Sequence, residues 1–211
     1  KLLSQVVKET LPQAEAAILS GPSFAKDVAI GLPTAVTLAA RTEELAAYLT
    51  NAIGLPTFRP YFSDDLIGAQ MGGAIKNVLA IACGIAIGAG LGDSARAALM
   101  TRGYAEMQRM AIACGARPET LAGLSGFGDL TLTCSSDLSR NYQLGLAIGR
   151  GETFDPTITV EGAATARAAA AKAIEMKIDM PITQTVTNLV GQRLTIADAV
   201  AQLLARPLKE E

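Results

Sequence analysis

Residues 66–89 read LIGAQMGGAIKNVLAIACGIAIGA, a nearly unbroken apolar stretch that is rich in alanine and has helical spacing. Its composition favours a helix, and it is too long for an ordinary strand. Further helical stretches follow, each bounded by Gly, Pro or a capping hydroxyl side chain. They cover residues 94–114, 141–149, 162–176 and 195–205, with a short helix starting at Pro181. The pattern predicts an all-α domain over residues 64–211.

Residues 1–63 alternate between helix and strand signals. The predicted elements are a helix at 2–11, strands at 16–20 and 33–40, a helix at 43–53 capped by Thr42, and an extended stretch at 55–62. These are too few strands to close a parallel sheet alone. We therefore expect the last part of an α/β domain whose beginning lies upstream of Lys1, with the boundary to the helical domain near residue 63.

The composition excludes several classes of function. Half of the 211 residues are apolar, the net charge is -2 and no basic stripe is present, so we expect no nucleic-acid partner. The longest apolar run, residues 78–91, is broken by three glycines and is shorter than the about 20 residues of a membrane span. The three cysteines lack metal-ligand spacing, and we expect no metal. Because histidine is absent, a proton carrier must be Lys, Asp, Glu, Tyr or Cys.

Lys76 and Asn77 stand side by side in the otherwise apolar stretch. Burial disfavours an ammonium group, so a lysine here can exchange a proton near neutral pH. Gly72 and Gly73 weaken the helix, which indicates close approach of a ligand or of another backbone segment. The alternative is a lysine that extends to solvent from the edge of a core helix.

Two loops are further candidates. GFGDLTLTC at 126–134, followed by Ser139-Arg140-Asn141, suits a phosphate site because an arginine fork and helix-start amides both bind phosphate oxygens. The alternative is a solvated arginine beside a helix cap. Residues 19–27 end a strand at a Gly-Pro turn, and α/β sheets bind ligands at the carboxyl ends of parallel strands. Ser23 could equally cap a short helix.

Residues 90–95, GLGDSA, fit the dinucleotide fingerprint G-x-G-x-x-A. The fingerprint requires a preceding strand, a following helix and then a second strand. The stretch before residue 90 is too long and alanine-rich for one strand, and no β-branched run follows the next helix. We interpret these residues as a corner between two helices.

Five blocks occur together in one order: SGPSFAKD (20–27), IGAQMGGAIKNVLAIACG (67–84), TRGYAEM (101–107), GFGDLTLTC with SRN (126–141), and VEG with MPIT (160–183). In their residues and in their order, these blocks resemble those of bacterial NAD(P)-dependent glycerol-3-phosphate dehydrogenases. The resemblance runs from about Ala17 to Arg206. It implies a partial Rossmann-type α/β remnant, followed by an all-α domain like the C-terminal helical bundle of 6-phosphogluconate dehydrogenase.

The resemblance also implies roles for individual residues. Lys76 matches the catalytic lysine, which takes the hydroxyl proton as hydride leaves for the nicotinamide. Substrate-binding positions match Asn77, Asp129, Thr133, Ser139, Arg140, Asn141, Gly21 and Ser23. Cofactor-binding positions match Ala25, Arg140, Thr159 and Glu161. The stretch from Gly149 to Thr159 is shorter than the family pattern, so Thr159 and Glu161 match least closely.

By the same resemblance, the substrate is glycerol 3-phosphate or dihydroxyacetone phosphate, the cofactor is NAD or NADP without a metal, and the product feeds phospholipid synthesis. A cytoplasmic homodimer is implied. The Gly-rich phosphate turn and a second active-site lysine would lie upstream of Lys1, so residues 1–211 are expected to be inactive alone. The alternatives are a non-catalytic helical interaction or dimerisation module and another β-hydroxyacid-type dehydrogenase.

Overall fold

A computed structural model describes residues 1–205. The first part of the chain alternates helices and strands: α1 (Leu3–Thr10), β1 (Ile18–Ser20), α2 (Ala25–Ala29), β2 (Thr34–Ala39), α3 (Glu43–Ile53) and β3 (Phe58–Ser63). The predicted strands and the helix at 43–53 are confirmed. The Thr42 hydroxyl accepts a hydrogen bond from the Leu45 N–H, which explains why α3 begins there.

The strands form one sheet in the order β1-β2-β3. β2 and β3 are parallel, from Thr34 opposite Phe58 to Ala39 opposite Ser63. β1 runs antiparallel to β2, so the expectation of parallel strands is wrong for this pair. Residues 21–33 between β1 and β2 contain only the five-residue helix α2, whereas a parallel crossover usually contains a full helix.

The rest of the chain is helical, as predicted. Its elements are α4 (Leu66–Gly88), α5 (Gly92–Ala113), α6 (Pro118–Ala122), a π-helix (Leu124–Gly128), α7 (Asp129–Ser135), α8 (Arg140–Arg150), α9 (Glu161–Met176), α10 (Pro181–Val190) and α11 (Ile196–Leu204). The corner predicted at 90–95 is confirmed, because Gly90, with a φ of 74°, lies between α4 and α5, and Gly92, with a φ of 85°, begins α5. α5 begins at Gly92, two residues before the start predicted at residue 94.

Two further local expectations are wrong. Ser23 does not cap α2, since Phe24 occupies that position and makes no side-chain cap bond. The segment around Gly126 and Gly128, expected as a tight loop, is a π-helix that continues directly into α7. Glycine allows this wide turn: a Cβ on Gly126 would collide with the Leu121 carbonyl.

The chain packs into two compact units, and each unit contains two separate segments of the sequence. The first contains Lys1–Lys76 and Met107–Thr133, and the second contains Asn77–Glu106 and the chain from Cys134 onward. In the first unit, Leu38, Ala40 and Ala46 form a buried cluster. In the second, α4 packs backbone to backbone on α8, because a Cβ on Gly84 would collide with the Tyr142 carbonyl.

Helix α4 is long and apolar enough to cross a membrane by length and composition alone. In the described part of the chain it is the one helix that passes this test, and 67% of its most apolar 18-residue window is buried inside the structure. Such burial is typical of a core helix, which needs the same apolar composition.

Candidate functional site

Two adjacent glycines of α4, Gly72 and Gly73, allow neighbouring parts of the first unit to approach the helix closely. A Cβ on Gly72 would collide with the carbonyl of Ser125 in the π-helix, and one on Gly73 would lie 2.7 Å from the Ser20 hydroxyl at the end of β1. The close approach expected from the sequence is therefore made by protein atoms. It holds β1 and the π-helix against the helical turn that precedes Lys76.

Lys76 forms an ion pair with Asp129. Its Nζ lies 2.6 Å from Oδ2 of Asp129, and the two side chains are 19% and 4% exposed. The lysine thus keeps some access to solvent, whereas the carboxylate is buried. At this distance the opposite charges of the two groups attract each other strongly, because the burial of Asp129 leaves little water between them.

Further donors surround the Asp129 carboxylate. The Thr133 hydroxyl donates to Oδ1 at 3.2 Å, and the backbone N–H of Gly21 donates to the same carboxylate. Burial raises the pKa of Asp129 above its ordinary value of 3.8, although Lys76, Thr133 and Gly21 all act in the opposite direction. This buried acid therefore holds its proton more tightly than an exposed one.

The backbone around Asp129 explains its placement. The π-helix ends at Gly128, and Asp129 is the first residue of α7. π-Helical turns are rare and occur frequently at functional sites, since they redirect the residues that follow. Gly21 has a φ of 153°, and a Cβ there would lie 2.9 Å from Cα of Val36, so glycine is required where the backbone donates to Asp129.

In the second unit, α8 begins at the predicted phosphate-binding residues. Ser139 caps the helix, because its Oγ accepts from the Tyr142 N–H at 3.2 Å. Arg140 is the first helical residue, and its Nη2 lies 3.9 Å from Oε1 of Glu161. Both of these side chains are more than half exposed, so the guanidinium has access to solvent for an incoming anion.

Asn141 connects α4, α8 and the start of α9. Its Nδ2 donates to Oδ1 of Asn77 at 3.0 Å, and its Oδ1 accepts from the N–H of Gly162 at 2.9 Å. Asn77 is buried, with 9% exposure. Residues 77, 141 and 162 are thus brought together by tertiary structure.

The remaining predicted residues lie at exposed positions. The Ser23 hydroxyl donates to the Gly21 carbonyl at 3.1 Å. Ala25 is the first residue of α2. Thr159 is exposed, two residues before α9, while Glu161 is the first residue of that helix. Among residues 1–205, no group of three or more His, Cys, Asp or Glu side chains could hold a metal ion.

Glu106 is a buried carboxylate to which the sequence interpretation assigned no role. It is 1% exposed, and it accepts hydrogen bonds from the N–H groups of Ile182 and Thr183 and from the Thr183 hydroxyl. It therefore fixes the first turn of α10. In the sequence, Glu106 is a single acid between two apolar residues in the block TRGYAEM, which comes before the block MPIT along the chain.

The chain matches two family models. The first, NAD-dependent glycerol-3-phosphate dehydrogenase C-terminus, covers residues 65–201, and the second, the N-terminus of the same family, covers residues 1–46. The chain belongs to the NAD-dependent glycerol-3-phosphate dehydrogenase family. The match to the C-terminal model contains Lys76, Asp129, Asn141 and Glu161.

Relatives in this family are closely similar. A glycerol-3-phosphate dehydrogenase, NAD(P)+, of Ruegeria sp. (strain TM1040) is 68% identical over 98% of this chain and 64% of its own length. One of Cereibacter sphaeroides is 58% identical over 98% of this chain and 68% of its own. The crystal structure of glycerol-3-phosphate dehydrogenase from Coxiella burnetii has a TM-score of 0.92 at 42% identity, covering 98% of this chain and 65% of that one. The chain therefore spans about two thirds of the length of these relatives.

Proposed function

We propose that this chain carries the proton-transfer and phosphate-binding residues of a glycerol-3-phosphate dehydrogenase. The reaction interconverts sn-glycerol 3-phosphate and dihydroxyacetone phosphate with NAD or NADP. The observation that carries the proposal is the contact of 2.6 Å between Lys76 Nζ and the buried carboxylate of Asp129. Family membership supports it over a non-catalytic helical module, and the similarity to named relatives supports it over another β-hydroxyacid-type dehydrogenase.

Lys76 is the proton carrier in this proposal. In the reducing direction, its ammonium group donates a proton to the carbonyl oxygen of dihydroxyacetone phosphate, and in the oxidising direction its amine takes the hydroxyl proton. Asp129 holds the lysine side chain in position through the ion pair, while Thr133 and the Gly21 N–H hold the carboxylate in place. The nearly complete burial of Asp129 strengthens its interaction with the lysine, because little water screens the two charges.

The substrate phosphate is assigned to the start of α8. Arg140 offers a planar fork of donors, and Ser139 and Asn141 flank it on the same helix start. Asn77 is assigned to substrate contact through its amide. Gly21 and Ser23 are proposed as further substrate-binding residues. An exposed arginine at a helix start suits a dianionic phosphate better than an uncharged polyol.

NAD or NADP supplies the hydride acceptor when it is bound. The residues proposed to contact it from this chain are Ala25, Arg140, Thr159 and Glu161. Their chemistry fits a nucleotide, because the exposed guanidinium of Arg140 can donate to phosphate oxygens and the exposed carboxylate of Glu161 can accept from ribose hydroxyls. Arg140 is thus proposed to serve both the substrate and the cofactor.

The broader assignments rest on the resemblance. We propose a cytoplasmic homodimer whose product feeds phospholipid synthesis, with the domain boundary after residue 63. The family-model matches at residues 1–46 and 65–201 support two parts of this kind.

The proposal is tested by Lys76→Met in the complete gene product. Turnover of glycerol 3-phosphate, followed by absorbance of the reduced nicotinamide, should fall by at least about a hundredfold, as expected when a general acid–base group is removed. Cofactor KM should change little. Lys8→Met, a lysine on the exposed surface of α1, is the matched control and should keep its activity. Turnover by Lys76→Met at the control's rate would contradict the assignment.

A further inference from the structure

Ser125 lies in the π-helix, and its hydroxyl is buried without a partner. The residue is 0% exposed, and among residues 1–205 its Oγ is the one fully buried side-chain oxygen or nitrogen that has no hydrogen-bond partner. A buried polar group of this kind destabilises a protein, so such groups are rare and each one calls for an explanation. Ser125 belongs to the same compact unit as Lys76 and Asp129.

We propose that Ser125 is a positioning residue for proton transfer, and that its hydroxyl donates to the Asp129 carboxylate while Lys76 is an uncharged amine. The inference rests on the proposed function, in which Lys76 gives up and takes up a proton. Ser125 acts through Asp129 and touches neither the substrate nor the cofactor.

Ser125 precedes Asp129 by four residues, which places it one helical turn away. Residues four positions apart lie on the same side of a helical turn, and side chains lean toward the helix N-terminus, so the Asp129 carboxylate leans toward Ser125. The burial pattern agrees, because Ser125 and Asp129 are 0% and 2% exposed whereas Phe127 between them is 51% exposed. Thr133, one turn after Asp129, already donates to its Oδ1 at 3.2 Å. Ser125 is the corresponding hydroxyl one turn before it.

The Asp129 carboxylate can accept one more hydrogen bond. Its two oxygens offer about four lone-pair sites. Three donors use them: the Lys76 ammonium, the Thr133 hydroxyl and the Gly21 N–H. Rotation about the Cα–Cβ bond moves the Ser125 Oγ between staggered positions. Because this hydroxyl has no other hydrogen bond to break, it is suited to fill the fourth site.

This donor is needed when Lys76 gives up its proton. Burial raises the pKa of Asp129, and Lys76 is the charged group among the described residues that opposes this effect. β2, which also packs against the π-helix, has no titratable side chain, and α6 contributes the exposed Glu119. Once the proton passes from Lys76 to the substrate oxygen, the buried carboxylate loses its cation. A hydrogen bond from Ser125 then stabilises the negative charge, and no proton leaves the serine.

Ser125→Ala should lower kcat for the reduction of dihydroxyacetone phosphate by about tenfold and leave both KM values within about twofold. The hydrogen bond forms only as the proton leaves Lys76, so its loss affects the transition state and not the bound substrate. Ser125→Cys has a weak donor of similar size, and it should behave in the same way if the alanine variant does not fold. Ser94→Ala, at an exposed position on α5, is the matched control and should keep its activity.

The stability of the variant separates this role from a structural one. Because the Ser125 hydroxyl has no partner while the ion pair is formed, Ser125→Ala should not lower the urea concentration at the midpoint of unfolding. A lower midpoint would show that the hydroxyl is held by a partner in the ion-paired state, such as a buried water molecule, and would overturn the inference.

The Asp129 carboxyl tests the inference without turnover. Methionine is uncharged and close to lysine in length, so Lys76→Met stands for the enzyme whose lysine has given up its proton. In that background Ser125→Ala should raise the pKa of Asp129 by about one pH unit in a 13C NMR titration, because a hydrogen bond to the carboxylate is lost. With Lys76 present, Ser125→Ala should leave this pKa where it is in the wild type. Thr133→Val removes a bond of the ion-paired state and should raise the pKa in both backgrounds.

The titrations have two outcomes that contradict the inference. If Ser125→Ala raises the pKa of Asp129 equally in both backgrounds, the serine is a permanent partner of the carboxylate. If it raises this pKa in neither background, the serine does not reach the carboxylate. The proposed function fails separately, if the wild-type protein does not turn over glycerol 3-phosphate or if Lys76→Met remains active. The inference fails by itself when the wild type is active but the effect of Ser125→Ala does not depend on Lys76.

Discussion

Nζ of Lys76 and Oδ2 of Asp129 lie 2.6 Å apart. Both side chains are largely buried, with 19% of the lysine and 4% of the aspartate side chain exposed. Burial favours the neutral acid and the neighbouring ammonium favours the carboxylate, so these two influences on Asp129 oppose each other. Burial is the larger, since the pKa of Asp129 remains raised. Removing the lysine therefore measures how far it lowers the pKa of Asp129.

Lys76→Met should raise the pKa of Asp129 further, because it removes the charge that lowers this pKa and leaves the burial that raises it. A carboxyl titration of Asp129 by 13C NMR would measure the change, with Lys8→Met as a control that leaves the pKa where it is in the wild type. A lower or unchanged pKa in Lys76→Met would show that the ion pair is not formed in solution.

The same change should alter how stability depends on pH. For an acid whose folded pKa is raised above its unfolded value, the stability it contributes is present below the unfolded pKa and is lost as pH rises through the folded pKa. Since Lys76→Met raises the folded pKa further, its free energy of unfolding relative to the wild type should decrease as pH rises through the wild-type folded pKa of Asp129, which lies above 3.8. Urea unfolding at several pH values measures this, and a difference that does not vary with pH would contradict it.

Arg140→Lys should separate a phosphate-binding fork from a solvated arginine. Lysine keeps the charge and loses the second hydrogen bond, which contributes roughly 1.5–3 kcal/mol when the acceptor is charged. Catalytic efficiency with glycerol 3-phosphate should fall by about tenfold or more relative to that with glycerol, which has no phosphate. Arg167→Lys, on the exposed face of α9, is the matched control. If the ratio of the two efficiencies does not change, Arg140 does not bind the phosphate.

Glu106→Gln should destabilise the second unit. The amide group of glutamine has a single acceptor oxygen, so one of the buried N–H groups of Ile182 and Thr183 would face a donor. We expect the free energy of unfolding in urea to decrease by about 2–4 kcal/mol. The matched control is Glu175→Gln, which removes an exposed pair with Lys172 and should cost less than about 1 kcal/mol. Equal losses in the two variants would mean that Glu106 does not anchor α10.

Gly72→Ala should cost stability even though alanine favours helices. The added Cβ would collide with the Ser125 carbonyl, which is backbone held within the π-helix and cannot move easily. A loss of about 1–3 kcal/mol is expected from such overpacking. Gly103→Ala is the comparison, because its Cβ would meet side-chain atoms of Leu79 and no backbone atom. Thermal unfolding of both variants gives the order, and a smaller loss for Gly72→Ala would contradict this account.

Much of the secondary structure was predictable because its signals are local. Apolar spacing and composition indicated α4, and the hydroxyl of Thr42 marked the start of α3. The long alanine-rich stretch before residue 90, with no β-branched run after the next helix, indicated the corner between two helices. The five sequence blocks, in their order, also indicated the family. The matches to the two family models support the same family. Each of the structural features depends on residues that are close together in the sequence.

The tertiary structure alone decided how these elements act on one another. The antiparallel pairing of β1, the π-helix before Asp129 and the burial of Glu106 against α10 all depend on contacts between residues far apart in sequence. The same holds for the Asn141 bonds to Asn77 and Gly162. A short polar residue in the sequence has many possible partners, and packing selects one of them because a buried donor or acceptor without a partner is too costly.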